Sequence, residues 1–224
     1  MPRSPSSGPA PLLQLIREDL NTVVARDPSI ASRSEAMLHP ALPAVCVYRI
    51  AHRLYRRGHR LSARFISNLA RSFTGVEIHA GADIGRRFFI DHGSGVVIGE
   101  TAVIGDDVTL YQQVTLGAVG WWRDNLRPPG ERRHPRLGNR VVVGANATLL
   151  GPLVVGDDAV VGAQTLLMDE VLPGQRVNAA VGRVMSPRPA DGETASAEDL
   201  PRREHRPEKR VRELDVQAPV MPHH

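Results

Sequence analysis

The chain of 224 residues has one cysteine, one lysine, few aromatics and no long apolar run. A lone cysteine, Cys46, excludes an intramolecular disulfide and suits a reducing, cytoplasmic setting. Its apolar helical surroundings read as a small buried hydrophobe, not a nucleophile. No apolar stretch approaches the roughly 20 residues that span a membrane, and the longest candidate, 41–50, contains Pro43 and Arg49. The opening MPRSPSSGPAPLLQLIREDL has no long apolar core behind its early Arg, so it does not read as a secretory signal. The net charge is +4, and 27 of the 28 basic residues are Arg, with Lys209 the exception. They are spread among acids, without a compact basic block interleaved with aromatics, so a nucleic-acid partner is not expected.

What the chain does have is a rhythm of six. Thirteen aliphatic residues fall at six-residue steps in three blocks. These are Ile78, Ile84 and Ile90; Ile98, Ile104, Leu110 and Leu116; then Leu137, Val143, Leu149, Val155, Val161 and Leu167. Six is neither the helical period nor simple strand alternation. It predicts a parallel β-helix in which each hexapeptide builds one flat face and three close a triangular coil. The aliphatic position points inward, and the Gly that often follows it turns the corner.

The expected organisation is α+β. Residues 1–10 read as a mobile lead-in, 11–75 as an α-helical region, 76–184 as the β-helix and 185–224 as a charged, Pro-rich disordered tail. A helix through Leu13, Ile16, Leu20, Val23 and Val24 should stop at Asp27-Pro28. A second should start after Ser32, and a third should run through residues 45–73. A β-helix has open apolar ends, so the helices should cover its first coil and a terminal segment its last.

The rhythm breaks twice. From Ile90 to Ile98 the step is eight, across Asp91-His92-Gly93-Ser94-Gly95. From Leu116 to Leu137 it is 21, ending in Arg133-His134-Pro135. Side chains of regular coils are committed to structure, so chemistry belongs in these interruptions. His92 suits general-base work, because an unperturbed imidazole titrates near neutrality. Glu77, one coil earlier, could hold and charge-stabilise that imidazole, although taken alone it reads more readily as an ordinary solvated acid. The Arg133 fork suits a carboxylate. The long loop also carries Trp121 and Trp122, a lid or a packing surface. Three flat faces favour side-by-side packing, hence a trimer. Zinc needs three or four converging ligands, and no ligand motif surrounds His79, His92 and His134, so no metal is expected.

The stretches VEIHAGADIGRRFFIDHGSGVVIGETAVIGDDVTLYQQVTLG and RHPRLGNRVVVGANATLLGPLVVGDDAVVGAQTLL resemble the serine O-acetyltransferases. So do Arg26-Asp27-Pro28 and the YRIAH of residues 48–52, and the likeness spans roughly residues 20–184. The resemblance implies a left-handed β-helix that passes acetyl from acetyl-CoA to the hydroxyl of L-serine, making O-acetylserine for cysteine synthesis. It implies His92 as general base with Glu77 as its carboxylate partner. Asp27, Asp91, Arg133 and His134 would hold serine, and Ala118, Ala145 and Ala163 would line the path of CoA. Acetyl-CoA would be a co-substrate, with no permanently bound cofactor. Ala118 stands where many members have Gly.

The helical region is short for the family, so the assembly implied is a homotrimer or a dimer of trimers. The chain ends in His223-His224, whereas members that bind cysteine synthase end in Ile, so that complex is not expected. Two rival functions share the fold: an O-acetyltransferase acting on another hydroxy amino acid, and, more distantly, a γ-type carbonic anhydrase.

Overall fold

The computed structural model describes residues 10–180 apart from 125 and 129. The lead-in before residue 10, the last residues assigned to the β-helix and the tail 185–224 lie outside the described residues.

Helix α1 (Leu12–Arg26) is followed by the short α2 (Arg33–Ala36), whose Ser32 hydroxyl caps it by accepting from the Glu35 N–H at 3.2 Å. The single third helix expected over 45–73 is in fact two, α3 (Leu42–Arg56) and α4 (Arg60–Thr74). Gly58, at φ +88°, turns the chain between them, a conformation that L side chains rarely adopt. Apolar periodicity continues on both sides of Arg56-Arg57-Gly58-His59-Arg60, so the flanking pattern alone did not reveal the turn.

Four complete coils and part of a fifth follow. The first holds β1 (Glu77–Ile78), β2 (Asp83–Ile84) and β3 (Phe89–Ile90). The second holds β4 (Val97–Ile98), β5 (Val103–Ile104) and β6 (Thr109–Leu110). The third holds β7 (Thr115–Gly117), β8 (Arg136–Leu137) and β9 (Val142–Val143), with α5 (Trp121–Asp124) in the loop after β7. The fourth holds β10 (Thr148–Leu150), β11 (Val154–Val155) and β12 (Val160–Val161); β13 (Leu166–Leu167) and β14 (Arg176–Val177) end the stack. All pairings are parallel and join each strand to its equivalent in the next coil, giving three faces: β1-β4-β7-β10-β13, β2-β5-β8-β11 and β3-β6-β9-β12-β14. This is the parallel β-helix that the six-residue period implied, with the left hand that the family resemblance implied. All thirteen periodic aliphatics are buried. Each contributes about 1.5–3 kcal/mol by leaving water, and Ile78, Ile98, Leu116, Leu149 and Leu167 stack in register along the first face.

The corners are as regular as the faces. Arg87, Asp107, Arg140 and Asp158 take left-handed backbone angles where the second face meets the third. His92, Gln113, Asn146 and Gln164 do the same where the third meets the first. Side-chain pairing offsets the strain at the former corner, through Arg87–Asp107 at 2.6 Å and Arg140–Asp158 at 2.6 Å.

The helices cover the first coil, as its open end requires. Ala41, Ala44, Val45 and Tyr48 share one apolar cluster with Val76, Ile78 and Ala82. The YRIAH segment does the fastening. The Tyr48 hydroxyl donates to the Ala82 carbonyl at 2.7 Å, and His52 Nδ1 lies 2.9 Å from the Ala80 carbonyl oxygen. Arg49 donates to the carbonyls of Ile84 and Gly85, both at 2.7 Å, while its Nε and Nη2 grip Asp19 of α1 at 2.9 and 3.1 Å. Asp19 also accepts from the Phe88 N–H at 3.2 Å.

Candidate active site

At the corner of the third and first faces, the two extra residues after β3 throw His92 outward. Its backbone is left-handed (φ +59°), its side chain is 73% exposed, and its Nε2 lies 3.9 Å from a carboxylate oxygen of Asp91. Asp27 reaches the same place from the end of α1. Arg26 sets that position by reaching over the second coil, with its guanidinium 2.7 Å from the Thr109 hydroxyl and 3.1 Å from the Asp107 carbonyl. Asp27 closes the following turn by accepting from the Ser29 hydroxyl at 2.6 Å and from the Ser29 N–H at 2.9 Å. Those two bonds, the hydroxyl's first, hold the Asp27 carboxyl below the usual aspartate range. Behind both acids lies buried His39, and one donor atom from each of Asp27, His39 and Asp91 falls within 4.8 Å of the others.

A second cluster occupies the corner of the first and second faces. His134 is buried, and its Nδ1 accepts from the Thr101 N–H at 3.2 Å. The Thr101 hydroxyl lies 2.8 Å from the same nitrogen and accepts from the backbone N–H groups of Arg133 and His134 at 2.9 and 3.2 Å. Burial first, and then the Arg133 charge, push His134 down to about 4. The ring is therefore neutral at pH 7, and its proton sits on Nε2. Arg133 reaches Glu100 at 2.6 Å, and Glu100 also accepts from the Tyr55 hydroxyl at 2.9 Å. Burial opposes ionisation of Glu100, but Tyr55, His79 and Arg133 together hold its carboxyl below the usual glutamate range. Arg132 clamps the returning loop to the fourth coil through the carbonyls of Leu153 (2.9 Å) and Pro152 (2.6 Å). A cleft of about 570 Å³ opens beside this cluster, lined in part by Arg60, Glu100, Arg127, Glu131 and Arg133.

Eight of the nine residues singled out in the sequence thus fall in two places, and Glu77 stands apart from both. Asp27, Asp91 and His92 share one corner, and the stacked corner residues Ala145 and Ala163 continue it two and three coils further along, linked by the Gln164 N–H to Ala145 carbonyl bond at 2.8 Å. Arg133, His134 and Ala118 belong to the other corner. Glu77 stands on the outer side of β1, its carboxylate paired with Arg71 at 3.2 Å. A face of about five residues at ~3.3 Å each separates the two corners by on the order of 15 Å. No hydrogen bond or ion pair among the described residues joins one cluster to the other.

No family model matches the chain. The chain is 49% identical over 156 residues to a serine acetyltransferase of Helicobacter pylori, covering 69% of this chain and 87% of that protein. The serine acetyltransferase of Mycobacterium tuberculosis is 43% identical over 175 residues, 78% of this chain and 73% of its own. The chain belongs to the serine acetyltransferase family. Among solved structures, a serine acetyltransferase of Entamoeba histolytica in complex with cysteine superposes with a TM-score of 0.72 at 36% identity, covering 79% of this chain and 61% of that one. The serine acetyltransferase of Neisseria gonorrhoeae in complex with serine gives 0.68 at 33% identity, covering 79% and 68%. This chain thus spans roughly two thirds of the length of those solved family members.

Sequence reasoning overlooked four residues of the two clusters: His39, Tyr55, Glu100 and Thr101. Glu100-Thr101 directly follow the six-residue position Ile98-Gly99, so the rhythm hid them as ordinary corner residues. His39 carried no motif.

The neutral state of His134 has a measurable consequence. The folded ring titrates at about 4, against 6.5 unperturbed. Above pH 6.5 neither folded nor unfolded chain binds this proton, and no stability is lost through it. As pH falls from 6.5 towards 4 the unfolded chain takes up the proton first, and stability declines by up to about 3 kcal/mol. Urea unfolding at pH 7 and pH 4.5 should therefore show a loss about 2 kcal/mol smaller in His134→Gln than in the parent chain. Equal losses in the two would refute it.

Proposed function

We propose that this serine acetyltransferase joins acetyl-CoA and L-serine in a site completed between two copies of the chain, with His92 as the general base. The observation that carries this reading is the division of the ligand set. The acids suited to an ammonium group, Asp27 and Asp91, stand with His92 at one corner. The donors suited to a carboxylate, Arg133 and the Nε2–H of His134, stand at the other corner of the same face. An amino acid carries both groups a few ångströms apart, so one chain alone does not grip both ends. In a threefold ring each chain offers both corners, and one corner of each copy meets the other corner of the next.

His92 takes the serine hydroxyl proton as that oxygen bonds to the thioester carbonyl carbon. The tetrahedral intermediate collapses with cleavage of the carbon–sulfur bond, and the CoA sulfur leaves with the proton returned by the imidazolium. The transfer is direct, since no activated Cys or Ser accompanies the base. A backbone N–H near Gly117–Ala118 would stabilise the oxyanion. Glu77 serves as the carboxylate partner of the imidazolium. Its contact with Arg71 joins two largely exposed groups, and a pair of that kind is worth about 0–1 kcal/mol, too little to prevent re-pairing. Ala145 and Ala163 leave a shallow channel leading from His92 along its corner, suited to the pantetheine arm of acetyl-CoA. The homotrimer is the minimal assembly; a dimer of trimers would need the short helices as its interface. A single cysteine supports a cytoplasmic setting, and no helix among the described residues is long and apolar enough to cross a membrane.

Subunit mixing tests the divided site. His92→Asn and His134→Ala chains are each inactive alone. Unfolded together in equal amounts and refolded, they regain about a quarter of the parent activity, because that share of interfaces pairs two intact corners. No recovery in folded, mixed trimers would place the whole site within one chain and defeat the reading.

Gly99 gives a second test. A Cβ at this position would overlap the His134 ring. Gly99→Ala therefore pushes the imidazole out of place, and kcat/KM for serine falls about a hundredfold, the usual consequence of a displacement near 1 Å at a reacting centre. Activity close to that of the parent would show that His134 does not need its present position.

A further inference from the structure

His39 plays no part in the chemistry above, yet it is 5% exposed and lies behind the two acids at the His92 corner. We propose that His39 is a positioning residue whose buried imidazole holds the Asp27 and Asp91 carboxylates in one orientation, so that together they grip the substrate ammonium. This rests on the reading of Asp27 and Asp91 as the ammonium ligands.

Three observations support it. The first is proximity. Asp27, His39 and Asp91 each place an oxygen or a ring nitrogen within 4.8 Å of the others, the one such group of His, Cys and acidic side chains among the described residues. Two carboxylates that close repel each other, and before substrate binds something must keep them from turning apart to water. The second is the way the ring is held. Its Nδ1 accepts from the Ala41 N–H at 3.3 Å, and its plane lies at 44° to the Phe89 ring with centroids 5.6 Å apart. With Nδ1 accepting, the neutral ring carries its proton on Nε2 and has one donor to give. Burial draws the titration of His39 down, against the pull of Asp27 and Asp91 and with the help of His92. A neutral donor orients the acids without cancelling the charge that attracts an ammonium. The third is the coupling to the catalytic loop. A Cβ on Gly93 would stand 2.7 Å from the Ala41 Cβ, so the loop bearing Asp91 and His92 rests directly on the turn that begins at His39.

The test compares His39→Leu, His39→Gln and Asp27→Asn in the full chain. The readouts are KM for serine, KM for acetyl-CoA, kcat, and the preference for serine over 3-hydroxypropionate, which is serine without its ammonium. In His39→Leu the serine KM rises about 10–100-fold and the preference falls by the same factor, while the acetyl-CoA KM stays within about twofold. In His39→Gln the amide N–H restores most of the serine affinity. Asp27→Asn raises the serine KM whatever His39 does. If it does and His39→Leu does not, the role of His39 is refuted and the ammonium site stands. If Asp27→Asn leaves the serine KM unchanged, the ammonium reading itself fails. Loss of kcat with the preference intact would make His39 a structural residue only, which also overturns the proposal. Should the leucine chain not fold, His39→Asn takes its place, because it is polar but too short to reach both acids; a parental serine KM there would again refute it.

Discussion

In His92→Asn, kcat falls about a thousandfold while the affinity for acetyl-CoA is kept. The size follows from the role, since a positioned general base is worth about 10²–10⁴-fold. Asn is the informative replacement because of the backbone. His92 sits at φ +59°, where most side chains are strained, yet Asn146 holds φ +60° at the same edge two coils along. The corner therefore keeps its shape, and the loss reports chemistry rather than folding. With its 73% exposed side chain, His92 contributes little to packing, so thermal stability should move little. Steady-state rates with both substrates, alongside a binding isotherm for CoA, provide the check. A variant with more than about a tenth of the parent kcat would remove His92 from the role of base.

The second large effect concerns stability. In Asp19→Ala the chain loses about 3–5 kcal/mol, the usual result of leaving one partner of a buried ion pair uncompensated. Arg49 and Asp19 are 3% and 1% exposed, so water cannot replace the missing carboxylate. Burial also raises the Asp19 carboxyl above its ordinary range, against the opposing pull of Arg49 and the Phe88 N–H. Buried pairs can often be replaced by apolar residues at little cost, but not here. Arg49 also satisfies the carbonyls of Ile84 and Gly85, which a Met would leave unpaired under the helices. The double variant Asp19→Leu/Arg49→Met is thus expected to remain destabilised by about 2 kcal/mol or more. Urea denaturation of both variants tests this. Parental stability in the double variant would show that the carbonyls find other partners.

Legibility in the sequence tracked locality. The six-residue spacing named thirteen inward aliphatics, one to a hexapeptide, because in a β-helix each inward position is set by its own hexapeptide; it did not name the second buried series two residues earlier, such as Val96, Val108 and Val114. The interruptions delivered Asp91-His92 and Arg133-His134 for the same reason: extra residues must leave the coil. The turn at Gly58 escaped notice because apolar periodicity continues on both sides of it. Glu100 and Thr101 escaped because they occupy ordinary corner positions and gain meaning only from Arg133 and His134, 33 residues away.

By itself, then, the amino-acid sequence determined the coil, its register and the places where the coil must open, since all three depend on residues a few positions apart. Only the tertiary structure decided what meets at each opening. His39 lies 12 residues from Asp27 and 52 from Asp91 in the chain, yet folding α1 and the turn before α3 over the first coil packs the three together. Stacked coils also set the two chemical corners at opposite edges of one face, an arrangement that no spacing along the chain encodes. The physical reason is that coil stacking and helix docking bring together side chains from distant segments, whereas periodicity reports only on near neighbours.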